Sequence, residues 1–359
     1  MVESNELEIE REENEEDEAM VSYDIATYPS DFTLSGIYDM WKDGGITIPE
    51  FQREFVWTIR QSSLLIESFL CGLPVPPVFF YIDDENKNLV IDGQQRILST
   101  VFYLDGYFGF ENFQGKRQVF RLHGLDERSP YHKKRFDELS PADQRKLKNS
   151  SVLRAINIRQ LSPTDDKNTS AYHIFERLNT GGTPLKPQEI RNCVFSGDFS
   201  QKIKDLNQDA NWRRILGKKV LDKHQTDVEL VLRVFALSEQ PYSYEKPMKE
   251  FLNKAMKKYR KGTSPEIERF TKRFLRTAQL IIDSLGEKPF HVRGPLNTSV
   301  LDSVFCTLID NLDNIKPDLK LRFEELKENE IFKVQTTTGT TDTNTVRNRF
   351  ELVKGYLIR

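Results

Sequence analysis

Cysteine is scarce: Cys71, Cys193 and Cys306 are the three in 359 residues, far apart and with no ligand-spaced pair. Their spacing excludes a disulfide scaffold and a thiolate zinc site, and an odd count fits a reducing compartment. Histidine is equally thin. His123, His132, His173, His224 and His291 make no pair at metal-ligand spacing. The sequence shows no His-Glu-x-x-His helix, no nucleophile elbow and no His–Asn–His nuclease finger. No run approaches the roughly 18 apolar residues of a membrane span, and the acidic amino terminus is not a secretory leader. The expectation is a cytoplasmic protein without a membrane partner and without a protein-held metal.

What is present is charge, unevenly placed. The formal net charge is −3, yet residues 1–18 hold ten carboxylates against Arg11 alone. Without them, 45 acidic and 51 basic residues remain, a net +6 over positions 19–359. Residues 1–21 therefore read as a disordered acidic tail, able either to solubilise the chain or to cover a basic groove and compete with nucleic acid there.

Hydrophobic periodicity divides the rest. Ile46–Ile48, Val78–Ile82, Leu89–Ile91 and Ser151–Arg159 read as strands, with Ser62–Leu70 and Gln95–Leu104 as helices between them. Gly72 closes the first helix. Beyond Pro187 the period is almost wholly helical. The expected fold is an α/β domain over 22–165 followed by a mostly α-helical domain over 166–359.

Three segments can carry chemistry. In Asp92-Gly93-Gln94-Gln95-Arg96 a strand runs into a helix. Asp92 suits the N-cap and Gln95 the third position of a capping box. Gly93 leaves the first-turn amides uncovered, where an anion is favoured. Arg96 adds a forked donor, and Gln94 or Gln95 suits a water or a base edge. The plainer reading is that Asp92 only caps and Arg96 only pairs with a carboxylate. In Phe51–Trp57, Arg53 stands among aromatics, as a phosphate ligand or as an arginine packed on Trp57 and paired with Glu54. In Phe175–Lys186, Asn179 and Lys186 flank a Gly181-Gly182 connection, either an ordinary helix corner or a wall of the same site. That connection is not a P-loop, because the Gly-Lys-Ser/Thr ending is missing. Thr336–Thr345, with seven threonines in ten residues, offers hydroxyls to a phosphate or is a plain loop. Lys218-Lys219, Lys257–Lys261, Lys272-Arg273 and Arg347 with Arg349 are the basic clusters open to DNA or simply to water.

Taken with Leu73-Pro74-Val75-Pro76-Pro77 and Leu178–Gly182, these segments resemble the ParB/sulfiredoxin-like family that supplies the small subunit of the GmrSD modification-dependent restriction system. The same kind of domain forms the N-terminal part of the defence protein SspE. The resemblance covers roughly residues 25–200 and rests most on the Asp-Gly-Gln-Gln-Arg motif. It implies a small mixed sheet with helices, and a site for ATP or GTP with Mg²⁺ lined by Asp92, Gln94, Gln95 and Arg96. Arg53 and Asn179 would complete that site. It also implies DNA as a partner and a separate nuclease subunit, since no nuclease centre is visible in residues 200–359; self-association is compatible with it.

Two function classes follow. One is a nucleotide hydrolase answering to modified DNA, with Arg96 and Arg53 neutralising phosphate charge, Asp92 holding Mg²⁺ or a water, and Gln95 orienting the nucleophile. The other is a non-catalytic DNA- or protein-binding adaptor with the same anion pocket. A ParB-like nuclease acting by itself is a third reading, resting on one carboxylate in a glycine turn.

Overall fold

The computed structural model describes residues 6–10, 25–48, 55–83, 86–111, 115–161, 169–178, 185–239 and 241–359. The chain forms two units. One comprises Tyr23–Asp165 with His173–Pro184; the other comprises Met1–Ser22, Asp166–Tyr172 and Leu185–Arg359.

The first unit is built on a five-stranded mixed sheet. In chain order it contains β1 (Ile25–Thr33), α1 (Leu34–Lys42), β2 (Ile46–Thr47), α2 (Ile59–Cys71), β3 (Val78–Ile82), β4 (Asn88–Asp92) and α3 (Gln94–Asp105). A two-stranded ribbon of β5 (Tyr107–Phe108) and β6 (Gln118–Val119), the short helix α4 (Pro141–Arg145) and β7 (Val152–Gln160) follow. The sheet order is β1-β7-β3-β4-β2. β1 and β7 are antiparallel, β3 and β7 parallel, β3 and β4 antiparallel, and β2 and β4 parallel.

The strands alternate, and one set of alternate positions makes the core. Val78, Phe80, Val90, Leu153 and Ala155 are buried with Leu34, Ile37, Ile66, Leu70, Ile97 and Leu98 from α1, α2 and α3. Each such aliphatic or aromatic side chain contributes about 1.5–3 kcal/mol on burial. On α2, Thr58 and Gln61 form a capping box, and Gly72 closes the helix in the left-handed region, as its sequence position suggests. β1 departs from the sequence reading. Pro29, Ser30 and Asp31 look like turn residues, yet they lie within a nine-residue strand. It is an edge strand, where proline is tolerated, and Arg154 of β7 clasps Asp31 through two bonds of 2.7 and 2.9 Å.

α5 (Ser170–Leu178) leads into the second unit, which contains α6 (Pro187–Val194), α7 (Asp198–Leu206), α8 (Ala210–Leu216), α9 (Thr226–Glu239), α10 (Met248–Tyr259) and α11 (Pro265–Leu285). It ends with α12 (Thr298–Asp310), α13 (Leu319–Glu328), α14 (Glu330–Gln335) and α15 (Thr343–Leu357). A mixed sheet with helices followed by a mostly helical region is thus the observed fold class. α12 packs against α9, α11 and α15 and is buried along its length from Thr298 to Ile309, as its all-round apolar sequence requires. Its one deep charge, Asp302, takes two bonds of 2.9 and 2.6 Å from the Arg233 guanidinium of α9. Around it, Trp212 packs on Phe274 and Phe305.

Within the stretch that composition reads as a disordered acidic tail, Glu6–Glu10 are instead laid along the helical unit. Ile9 bridges Leu296 in parallel, and backbone bonds run from Glu10 N to Leu296 O and from Leu296 N to Glu8 O. Leu7 and Ile9 are half-buried while Glu6 and Glu8 point outward, a strand-like alternation that net charge conceals.

Candidate functional site

The Asp92–Arg96 segment lies where β4 hands over to α3. Phe80 pairs with Val90 but Phe79 pairs with Asp92, so Ile91 is an extra residue and the ladder is irregular at this end. Gly93 then turns the chain at φ +98°. A Cβ at that position would stand 2.3 Å from Val78 Cγ1, so the turn and the packing on β3 both require glycine.

This corrects the capping-box expectation. Asp92 is still in the β4 ladder, one residue too early to cap, and the N-cap of α3 is Gly93 with no side-chain cap bond. The carboxylate reaches forward along the helix instead. Asp92 Oδ2 accepts from Arg96 Nη2 at 2.9 Å, and the same nitrogen donates to Pro77 O at 3.1 Å. The Arg96 side chain is 17% exposed and that of Asp92 45%. Among the described residues Arg96 Nε, itself buried, finds no hydrogen-bond partner, an unsatisfied donor of the kind native interiors seldom leave.

Gln95 has an employment that no local pattern announces. Its Oε1 accepts from Val56 N and Trp57 N, both at 3.1 Å. It pins to α3 the backbone that follows the Phe51–Glu54 stretch. Gln94 opens α3 and is half-buried. At the far end of α3, burial alone would push the Asp105 carboxyl up. Hydrogen bonds from Lys42 and Arg117 at 2.9 Å and from Tyr38 at 3.0 Å outweigh it and hold the group below the usual carboxylate range.

The arrangement offers a helix N-terminus whose N-cap is a glycine, an arginine at its foot and a half-exposed carboxylate. The dipole at such a helix end favours an anion. Arg53 and Asn179 lie outside the described residues. Lys186 belongs to the helical unit, where it stands at the N-cap of α6 and its backbone N–H donates to Glu189 Oε2 at 2.7 Å.

The threonine-rich stretch is engaged locally. Thr336 and Thr337 hydroxyls return to Phe332 O and Lys333 O, and the Thr340 and Thr341 carbonyls receive Arg349 and Tyr244. Of the basic clusters, Arg349 is buried and bonded to Gln335 O and Thr340 O. Arg260 bonds Ser196 O, and Arg347 bonds Tyr244 O. These three arginines hold the helical unit together. Among the described residues, no group of three or more His, Cys, Asp or Glu side chains converges as a metal site, and no helix is long and apolar enough to cross a membrane.

Residues 34–196 match the family described as GmrSD restriction endonuclease, N-terminal domain. The match runs from the first residue of α1 to just past α6 and takes in the whole Asp92–Arg96 segment. It supports a GmrSD-restriction-associated N-terminal domain over that stretch. The ParB/sulfiredoxin and SspE side of the resemblance is not carried by it. No curated protein matches the chain.

Proposed function

We propose that this chain is a sensing component of a restriction- or defence-type system that binds and hydrolyses a nucleoside triphosphate in response to modified DNA, with cleavage left to a separate nuclease. The observation that carries the reading is the strand–turn–helix at Asp92–Arg96. Inside the matched stretch a glycine N-cap turns β4 into α3, with Arg96 and its Asp92 partner at the foot of the helix.

In this reading the first-turn amides of α3 hold phosphate oxygens, and Arg96 exchanges part of its bond to Asp92 for the ligand. Gln95 is a positioning residue: it fixes the Val56–Trp57 backbone. A Mg²⁺ ion enters with the triphosphate, whose oxygens it prefers, and neutralises part of its charge. Among the described residues, Asp92 supplies a carboxylate at this turn to hold it or a water.

A second reading is favoured by a specific observation. Arg96 already bonds Asp92 and Pro77, and Gln95 already bonds backbone, so the same turn serves as a binding pocket without turnover. Phosphate release from ATP and GTP with Mg²⁺, measured with and without plain and modified duplex DNA, separates the two. DNA-stimulated release in the intact chain that falls at least tenfold in Arg96→Lys, with unchanged melting, supports the hydrolase. Triphosphate binding with no release under any of these conditions overturns hydrolysis and leaves the adaptor.

A further inference from the structure

We infer that the helical unit carries a second anion site, at the N-terminus of α12, which the chain's own Glu10 occupies. Its external ligand is a terminal phosphate group. The site is separate from the Asp92–Arg96 turn and does not rest on the reading given to it.

The seat is visible because a carboxylate already sits in it. Arg293 Nε donates to Glu10 Oε1 at 2.8 Å, and Arg293 Nη2 donates to Glu10 Oε2 at 3.2 Å. Asn297 Nδ2 donates to the same Oε2. Asn297 is buried and is itself the N-cap of α12, its Oδ1 accepting from Val300 N at 2.8 Å. Both donor groups are braced from behind by Thr336 O, at 2.8 Å from Arg293 Nη2 and 2.9 Å from Asn297 Nδ2. A guanidinium fork and an amide so fixed match a phosphate as well as a carboxylate.

A cavity of about 200 Å³ shares Arg293 and Thr336 with this clamp, and Lys327 and Lys333 line it against a single carboxylate, Glu328. Each lysine has a glutamate partner within 3.0 Å, so the lining is mildly rather than strongly cationic. The recess is lined by eight residues and, at about 30 Å³ per water, admits a phosphate group together with several waters. A local recess of this kind suits a terminal phosphate rather than the continuous backbone of a duplex.

Besides the clamp, Glu6–Glu10 rest on the Ile9–Leu296 bridge, on the bond from Leu7 N to Asp222 Oδ2 at 2.6 Å and on Glu6 beside His224 Nε2 at 3.7 Å. Lifting this short strap uncovers Arg293 and Asn297 without disturbing α12. The strap is thus a competitive, built-in inhibitor of the site.

The test is equilibrium binding of three probes to the full chain: inorganic pyrophosphate, a 5′-phosphorylated short oligonucleotide and its 5′-hydroxyl counterpart. The variants are Glu10→Gln, which keeps the strap's backbone bonds, Arg293→Gln, and the two combined. Glu10→Gln is expected to tighten pyrophosphate binding about tenfold, and Arg293→Gln to abolish that gain in the double variant. Preference for the 5′-phosphorylated over the 5′-hydroxyl strand identifies a nucleic-acid end as the source. Equal binding of the two strands with tightened pyrophosphate identifies a free phosphate compound. Glu10→Gln without effect, a gain that survives in the double variant, or no binding of any probe overturns the proposal. Arg293 lies at the surface, so its loss leaves the core intact, and a melting curve for each variant checks this.

Discussion

Two helix N-termini in this chain face the same electrostatic problem and meet it in opposite ways. α12 is capped by Asn297, and a carboxylate from far away in sequence, Glu10, is laid on the cap with Arg293 beside it. α3 has a glycine at the same position, no side-chain cap and an arginine whose carboxylate partner comes from the adjoining strand. A helix end is thus covered by an asparagine cap and a distant carboxylate in one unit and entered through a glycine in the other. Side-chain capping is not the rule in this chain, since α10, α11 and α15 also begin without a side-chain cap bond. What sets α3 apart is the Asp92–Arg96 pair at its foot and the glycine packed on Val78.

The comparison breaks most forcefully at Gly93. Ala at 93 must adopt φ +98° and displace Val78. Left-handed backbone strain of about 1–2 kcal/mol and overpacking of about 1–3 kcal/mol add to roughly 3 kcal/mol lost, read as a lower urea midpoint for the sheet unit. Arg96→Ala comes next. It leaves Asp92 and Pro77 O without their donor and costs about 1–2 kcal/mol, together with the triphosphate-dependent signal. Asn297→Ala at the filled end removes one cap, worth about 1 kcal/mol, and loosens the strap, seen as faster amide exchange at Leu296.

Acid gives the smallest effect. Burial alone would push the Glu10 carboxyl up, but hydrogen bonds from Arg293 and Asn297 hold it below its ordinary range. Its contribution is therefore complete above the ordinary carboxylate value, near 4.3. It disappears as pH falls through the lowered value. The pair is partly exposed, so the change is at most about 1 kcal/mol. It is visible as acid-induced exchange at Glu10 N–H while the core of α12 stays protected; the same acid response in Glu10→Gln would remove the clamp's role.

Much of this fold is legible in the sequence, and the failures have physical causes. α10 (Met248–Tyr259) and α11 (Pro265–Leu285) lie in the stretch read as helical beyond Pro187, because apolar periodicity and an opening proline coincide. β1 is hidden because its strand character comes from pairing with β7, more than a hundred residues away, and Pro29 and Asp31 argue against it locally. α8 is seven residues long, too short for periodicity to register. At the candidate site the motif and its strand–turn–helix setting are readable. Its wiring is not: Gln95 bonds a backbone 38 residues earlier, a partner that spacing cannot reveal. The shift of the cap from Asp92 to Gly93 follows from the irregular end of β4, which is a property of the sheet. For the strap, Leu7 and Ile9 alternating with Glu6 and Glu8 was the available signal, masked by averaging charge over the segment.

The contact between Gly93 and Val78 also constrains how this chain can change. The branches of Val78 fill the volume that a side chain at 93 would need. The two positions, on neighbouring strand ends, therefore behave as one mutable unit. Shortening Val78 to Ala costs a few methyl contacts and is survivable by itself; adding a side chain at 93 is not. Alanine at 78 removes only the nearest clash, because the Cβ and Cα of residue 78 would still stand 2.7 and 3.1 Å from a Cβ at 93. Replacing the glycine therefore needs the strand end itself to shift, and asparagine, which tolerates left-handed backbone, is the substitution that asks least of it.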